Sequence, residues 1–195
     1  TAVVIATSLV AGAIFAKQDF PLKNVLFTVL LATAIVPFET YILPLYSTMV
    51  SLKWINTYQA MILPYAIMAF GIFLMRQNIS SSVPDELLDA ARIDGCNEWQ
   101  ILFRIIAPLS TGAMAALGIF AFIQAWTAFI WPLLIATRSE MYNMELGLAT
   151  FQRTFSVDYN VLMAGSVMTV TPMIIVFILL RRRIVEGIAL TGLKG

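Results

Sequence analysis

Histidine is absent from this 195-residue sequence, and charge is scarce: Asp, Glu, Lys and Arg together make up 12% of it. Soluble domains carry roughly 25% charged residues, so a water-facing surface cannot be covered with this supply. Hydrophobic residues fill the gap at 60%. Without histidine, imidazole acid–base catalysis and the usual zinc sites are excluded. The single cysteine, Cys96, can form neither an internal disulfide nor a CxxC metal site. A net charge of +1 gives no argument for nucleic acid. No Gly-x4-Gly-Lys-Ser/Thr phosphate loop occurs, so any ATP must be handled by another chain. There is no long linker, low-complexity tract or internal repeat. What remains is an integral membrane protein.

Five apolar stretches stand out: 1–16, 25–49, 58–75, 109–136 and 161–180. Inside a bilayer no water satisfies backbone groups, so each is expected to be helical. Residues 1–16 lack the basic start of a signal peptide, and further spans follow. Sixteen residues rise about 24 Å, short of a hydrocarbon core of about 30 Å. The stretch therefore reads as a span clipped at its start, with an N-terminal piece missing. Pro37, Glu39 and Pro44 are expected to kink or break the second stretch, and Pro132 to bend or end the fourth. Basic residues set the orientation. Lys17, Lys23, Arg76, Arg92, Arg104, Arg181, Arg182, Arg183 and Lys194 fall on one side, against Lys53, Arg138 and Arg153 on the other. That bias places the 17–23 turn, the 76–104 insert and the C-terminal tail in the cytoplasm. The 50–57 and 137–160 loops then face outward.

The insert is the polar exception. Asp85, Glu86, Asp89, Asp94 and Glu98 are five of the chain's eleven acids. Ser82 is expected to cap a first helix with Pro84 in its opening turn, and the early acids suit the positive end of its dipole. Ala90 and Ala91 permit close approach of a neighbour. Gly95 is expected to break that helix, and Asn97 to cap a second with Gln100 three residues on. Trp99, Leu102, Phe103 and Ile106 then recur at i, i+3, i+4 and i+7, forming one apolar face. By periodicity alone, a short amphipathic helix of this kind can simply lie on a membrane surface with Trp99 as anchor.

The run Asp89-Ala90-Ala91, three residues, Gly95, nine residues, Ile105-Ile106-Ala107-Pro108 resembles the cytoplasmic EAA loop of bacterial ABC importer permeases. Two positions depart from that pattern: Asp89 replaces Glu on a stem one methylene shorter, and Ala107 replaces Leu. The resemblance extends through Ile55-Asn56-Thr57-Tyr58, Leu63-Pro64-Tyr65, Gly71-Ile72-Phe73, Val83-Pro84-Asp85-Glu86-Leu87 and Trp131-Pro132-Leu133. It also takes in the tail, Val185-Glu186-Gly187-Ile188-Ala189 and Gly192-Leu193-Lys194-Gly195. It covers almost the whole chain and is strongest with the maltose-type, carbohydrate-uptake permeases. Where relatives often show Trp-Asn-Asp, this chain has Trp126-Thr127-Ala128.

The resemblance implies an all-α, polytopic helical membrane protein with the MetI-like permease fold. Six spans are usual there, so five are present and a sixth, N-terminal one is missing. Residues 1–195 then form a single transmembrane domain, with a coupling loop at 80–108 and an extracytoplasmic loop at 137–160. The implied location is the bacterial plasma (inner) membrane, with the C-terminus cytoplasmic. The implied partners are a second permease subunit in a heterodimer, a dimer of ATP-binding subunits and an extracytoplasmic solute-binding protein. The chain would hold no cofactor; ATP and Mg would sit on the partner ATPase. The coupling residues would be Asp89, Ala90, Ala91, Arg92, Asp94, Gly95, Trp99, Leu102, Phe103, Ile105 and Pro108. Trp99, Leu102 and Phe103 would fill an apolar cleft of the ATPase, with Asp89, Arg92 and Asp94 pairing at its rim. In the tail, Glu186, Gly187 and Lys194 would reach the same interface. In the outward loop, Tyr142, Asn143, Phe151 and Gln152 would meet the binding protein.

Other residues carry two readings each. Glu39 is the one acid that could lie within a span, a functional candidate by default; alternatively Pro37 ends the helix and Glu39 sits at the outer interface. Gln124 and Trp126 suit a sugar path, or act as interhelical glue. Arg181–Arg183 mark the cytoplasmic end of the last helix, before a Gly-rich tail read as flexible. Two other functions compete. Ala91-Arg92-Ile93-Asp94-Gly95 faintly resembles the signature of CDP-alcohol phosphotransferases, but the next aspartate after Asp94 is Asp158, on the opposite side, so a metal cluster cannot be assembled. An ion-coupled secondary transporter or channel subunit needs buried ionisable groups, for which only Glu39 qualifies.

Overall fold

The computed structural model describes residues 1–151 and 159–192, with side chains described for 1–150 and 159–179. The chain divides into two compact units: 1–36 with 66–118 and the stretch from 180, and 37–65 with 119–179. Among the described residues there is no strand.

In the first unit, α1 (Ala2–Lys17) packs along α5 (Ala69–Ser82), which follows α2 (Lys23–Thr33), α3 (Phe38–Ser51) and α4 (Tyr58–Ile62) in the chain. Small residues let α1 and α5 approach closely, as apolar helices without a water-driven force require. A Cβ at Gly12 would lie 2.6 Å from Met75 Cβ, and one at Gly71 would lie 2.5 Å from Ser8 Oγ. Leu9, Ile72, Met75, Ile79 and Leu117 close the core around that contact. Arg76 stays beside it by donating to the Phe15 carbonyl at 3.2 Å and covering the Phe27 ring at 4.0 Å. After α5 come the short helices α6 (Asp85–Ile93), α7 (Glu98–Ile101) and α8 (Ala107–Leu109), then α9 (Thr111–Trp126).

The second unit centres on Ile42, Met49, Ala60, Trp131 and Ile135. Its remaining helices are α10 (Ile130–Ile135), α11 (Met144–Phe151) and α12 (Tyr159–Gly192). Trp131 is 1% exposed and donates its indole N–H to the Ala60 carbonyl at 2.8 Å. Asn56, in a left-handed turn at φ 61°, accepts the N–H groups of Thr137 and Arg138 at 3.0 Å each. That side chain ties the 52–57 turn to the end of α10.

All five apolar stretches are helical. Tyr159–Leu179 is the one continuous helix among the described residues that is long and apolar enough to cross a membrane. Three bent pairs also qualify: Lys23–Thr33 with Phe38–Ser51, Tyr58–Tyr65 with Ala69–Ser82, and Glu98–Leu109 with Thr111–Trp126. Ala2–Lys17 is apolar but shorter.

The expected break of the second stretch falls at Pro37, which takes the cap position of α3, while Pro44 sits inside α3 without ending it. Three other local expectations are corrected. The fourth helix ends at Trp126, ahead of Pro132. Pro132 instead occupies the first turn of α10, where its missing N–H costs no helical bond. Ser82 does not cap α6: it is the last residue of α5, its hydroxyl returns to the Asn78 carbonyl at 2.6 Å, and Pro84 takes the cap position. The tail beyond Arg183 continues as helical backbone to Gly192 rather than as a flexible segment.

Candidate functional site

The segment from Val83 to Pro108 is two short helices joined by a tight turn, and each joint has a local chemical cause. Helix α6 ends in a Schellman arrangement. The Cys96 N–H reaches the Ala91 carbonyl at 2.9 Å and the Gly95 N–H reaches the Arg92 carbonyl at 3.0 Å. Gly95 has φ +84°, and a Cβ there would meet nothing within 4 Å. The glycine is needed for its backbone angle alone. Asn97 then caps α7 through a full capping box: its side chain accepts from the Gln100 N–H at 2.9 Å, and Gln100 Oε1 accepts from the Asn97 N–H at 2.8 Å.

Arg92 bridges the two helices. Its guanidinium reaches Asp89 within α6 at 2.9 Å and Glu98 across the turn at 3.0 Å. All three side chains are at least 41% exposed, so each ion pair contributes only about 0.2–1 kcal/mol. Their value is geometric, since one planar group fixes the angle between two short helices. The hydrogen bond that Arg92 donates to Glu98, with that to Asp89 adding to it, holds the guanidinium pKa above its ordinary value. Asp94, expected to pair at the rim, makes no ion pair among the described residues.

The four apolar residues expected to share one face are divided. Ile101, Leu102 and Ile106 are 1%, 6% and 4% exposed, whereas Trp99 and Phe103 are 62% and 59% exposed. The turn Leu102–Ile106 is π-helical, with the Ala107 N–H reaching back five residues to Leu102. Pro108 accounts for the wider turn, because it cannot donate to Arg104 and its ring crowds that carbonyl. The aliphatic stripe packs inward with Leu88 and Ala91 of α6. The two aromatic rings remain outside, stacked 15° from parallel with centroids 6.1 Å apart. Ile93, 87% exposed, and Leu87, 42% exposed, extend the apolar surface on α6. Asp89 and Ala90 are exposed, Ile105 is half-buried and Pro108 exposed. The segment holds no reactive arrangement; it is a rigid, capped platform presenting unpartnered aromatic surface.

The residues expected along a solute path or at an outward contact have the following places within the chain. Trp126 donates to the Thr169 carbonyl at 2.9 Å and stacks on Phe122. That bond joins the end of α9 to α12, the interhelical glue weighed for Trp126 from the sequence. Asn143 accepts from the Leu146 N–H at 3.1 Å at the start of α11, and donates to the Ala128 carbonyl. Trp126, Tyr142 and Asn143 also line a cleft of about 700 Å³ with Leu148, Val161 and Met168. Gln124 and Glu39 are exposed, Glu39 in the first turn of α3 just after Pro37. Phe151 and the pair Glu186 and Gly187 lie on helical backbone, with side chains outside those described; Gln152 and Lys194 lie outside the described residues. Asn56, Lys17 and Glu98 hold joints that the sequence did not announce, since their partners are remote in the chain or lie across a turn.

Residues 8–189 match the model of the family described as the inner membrane component of binding-protein-dependent transport systems. The arabinooligosaccharides transport system permease protein AraQ of Halalkalibacterium halodurans is 39% identical over 188 residues, covering 96% of this chain and 67% of that protein. The lactose transport system permease protein LacG of Rhizobium radiobacter is 33% identical, covering 96% and 68%. The sn-glycerol-3-phosphate transport system permease protein UgpE of Yersinia pestis is 33% identical, covering 87% and 60%. The chain thus spans about two thirds of the length of these relatives. It belongs to this family of inner-membrane transport components.

Proposed function

As a member of that family, we propose, the chain forms half of the translocation pathway of an ATP-driven importer. Its relatives are transport permeases and not enzymes, so the work on ATP is assigned to a separate subunit that binds ATP and Mg. The observation that carries this reading is the platform itself: two capped helices, fixed to each other by Arg92, with Trp99 and Phe103 exposed and stacked. Aromatic anchors of this kind dominate the energetics of protein interfaces. They would seat in a cleft of the ATPase, so that closure of an ATPase dimer moves the helices behind them. Asp94, free of an ion pair within the described chain, is then available to the partner's rim.

A sugar or oligosaccharide is the favoured solute, because two of the relatives named above carry arabinooligosaccharides and lactose; the third extends the range to a glycerol phosphate. A second permease chain, an extracytoplasmic solute-binding protein and a cytoplasmic C-terminus complete the assignment. The basic-residue bias supports the orientation. The ion-coupled alternative gains nothing from Glu39, an exposed residue that suits the positive end of α3. The test is co-purification of the complete permease with its ATPase, followed by uptake into proteoliposomes. ATP-dependent uptake, lost when the ATPase is omitted, is expected; uptake that persists without the ATPase overturns the reading. Ligand binding to the cognate binding protein then identifies the solute.

A further inference from the structure

Lys17 is the last residue of α1, and its side chain is only 9% exposed. Its ammonium donates to two acceptors at the joint between α5 and α6: the Val83 carbonyl, and Asp85 at 2.7 Å. Val83 is 1% exposed and closes α5, and Pro84 turns the chain away, so the buried Val83 carbonyl lacks a helical donor of its own. A lysine in so enclosed a place must be paired, because an unpaired ammonium there carries the full cost of desolvation. The ammonium and the Val83 carbonyl thus satisfy each other at the joint.

The helices leading to that joint leave no slack. Along α1, Thr7, Ser8, Gly12, Phe15 and Lys17 meet Ala66, Gly71, Met75, Arg76 and Val83 in rising order, so α1 and α5 run parallel in fixed register. The Thr7 hydroxyl on the Ala66 carbonyl at 2.7 Å ties one end, and Lys17 ties the other. From this geometry we propose that Lys17 is a positioning residue that locks the root of the coupling platform to α1, so that α1, α5 and the first turn of α6 move as one body. Motion then enters through the root of α6 and reaches α1 directly, without waiting for α5 to bend. The inference rests on the coupling reading of the platform for its functional consequence, but its structural content stands apart.

The experiment uses the assembled transporter, with spin labels at the exposed positions Gln18 and Glu86 in a Cys96→Ser background. A single narrow distance, unchanged between the nucleotide-free and ATP-bound states, is expected; a shift between those states in the otherwise unaltered chain overturns the proposal. That comparison needs no change at Lys17. Lys17→Met keeps the stem and removes the donor. It is expected to broaden the distance and to lower solute moved per ATP by about tenfold, the scale of a lost charged hydrogen bond. Lys17→Arg is expected to recover most of both. Asp85→Asn, at an exposed partner, is expected to cost less than about twofold. If Lys17→Met leaves both readouts intact while Trp99→Asp abolishes uptake, Lys17 is not the lock and the coupling reading survives. If the distance behaves as expected but Trp99→Asp has no effect on uptake, the lock stands and the coupling reading fails.

Discussion

Residues 83–108 and residues 124–151 both interrupt an oily chain with polar and aromatic side chains, and they use them in opposite ways. In the first, the polar groups satisfy one another: Arg92 holds Asp89 and Glu98, and Asn97 and Gln100 exchange bonds. The aromatic rings of Trp99 and Phe103 are left over, outside and stacked. In the second, the polar groups of Asn143, Trp126 and Trp131 are spent on backbone groups. Asn143 caps α11 and holds Ala128, Trp126 reaches Thr169, and Trp131 is buried on Ala60. The fold engages these three side chains of the second region. What the first region leaves unspent is the better candidate for a partner.

The largest effect should come from attacking that surplus. Trp99→Asp places a charge where an apolar anchor must desolvate, and loss of a central anchor costs about 2–4 kcal/mol, or about 30-fold or more in binding. ATP-driven uptake is expected to fall to background, with the chain still inserted and folded because Trp99 is 62% exposed. Uptake close to normal would remove the distinction between the two regions.

Next in size is the turn. Gly95→Pro cannot reach φ +84°, because proline is held near −65°, so the platform should lose its shape and uptake with it. Gly95→Asn sharpens the point: asparagine tolerates the left-handed region and its side chain would enter open space. It should retain most uptake, with Gly95→Val falling between the two. Equal loss for Asn and Pro would mean that a partner packs against the glycine itself.

The contrast also explains what could be read from the sequence. Gly95, the Asn97–Gln100 box and the helical spans were legible because their causes act within a few residues or through composition. The fate of Trp99, Leu102, Phe103 and Ile106 was only half legible. Periodicity grouped them, but Pro108 widened the turn and the aliphatic residues took the buried side. Ser82 misled because a serine ahead of Pro84 looks like a cap, whereas its hydroxyl bonds backward to Asn78. The Lys17–Val83 joint spans 66 positions, and no local pattern announces a contact of that range.

A smaller effect should separate structure from contact in the second region. Asn143→Ala removes a helix cap worth about 1 kcal/mol, and Trp126→Phe removes a donor worth a similar amount, about 1 kcal/mol. Both variants should lower thermal stability in detergent by a few degrees while leaving the half-saturating solute concentration unchanged. A raised half-saturating concentration at full stability would return either residue to the solute path.

The smallest effect belongs to pH. The hydrogen bond from Lys17 holds the Asp85 carboxyl below the usual carboxylate range. A depressed folded value means that the contribution of Asp85 is fully present above the unfolded pKa of about 3.9 and is lost only as pH falls through the lower folded value. Asp85 is also fully exposed, so solvent screens the pair. Between about pH 5 and 8, uptake should therefore show no titration step that Asp85→Asn removes, a window set by the ordinary carboxylate value. A step that vanished in Asp85→Asn would show that the ion pair, rather than the Val83 carbonyl, holds the platform to α1.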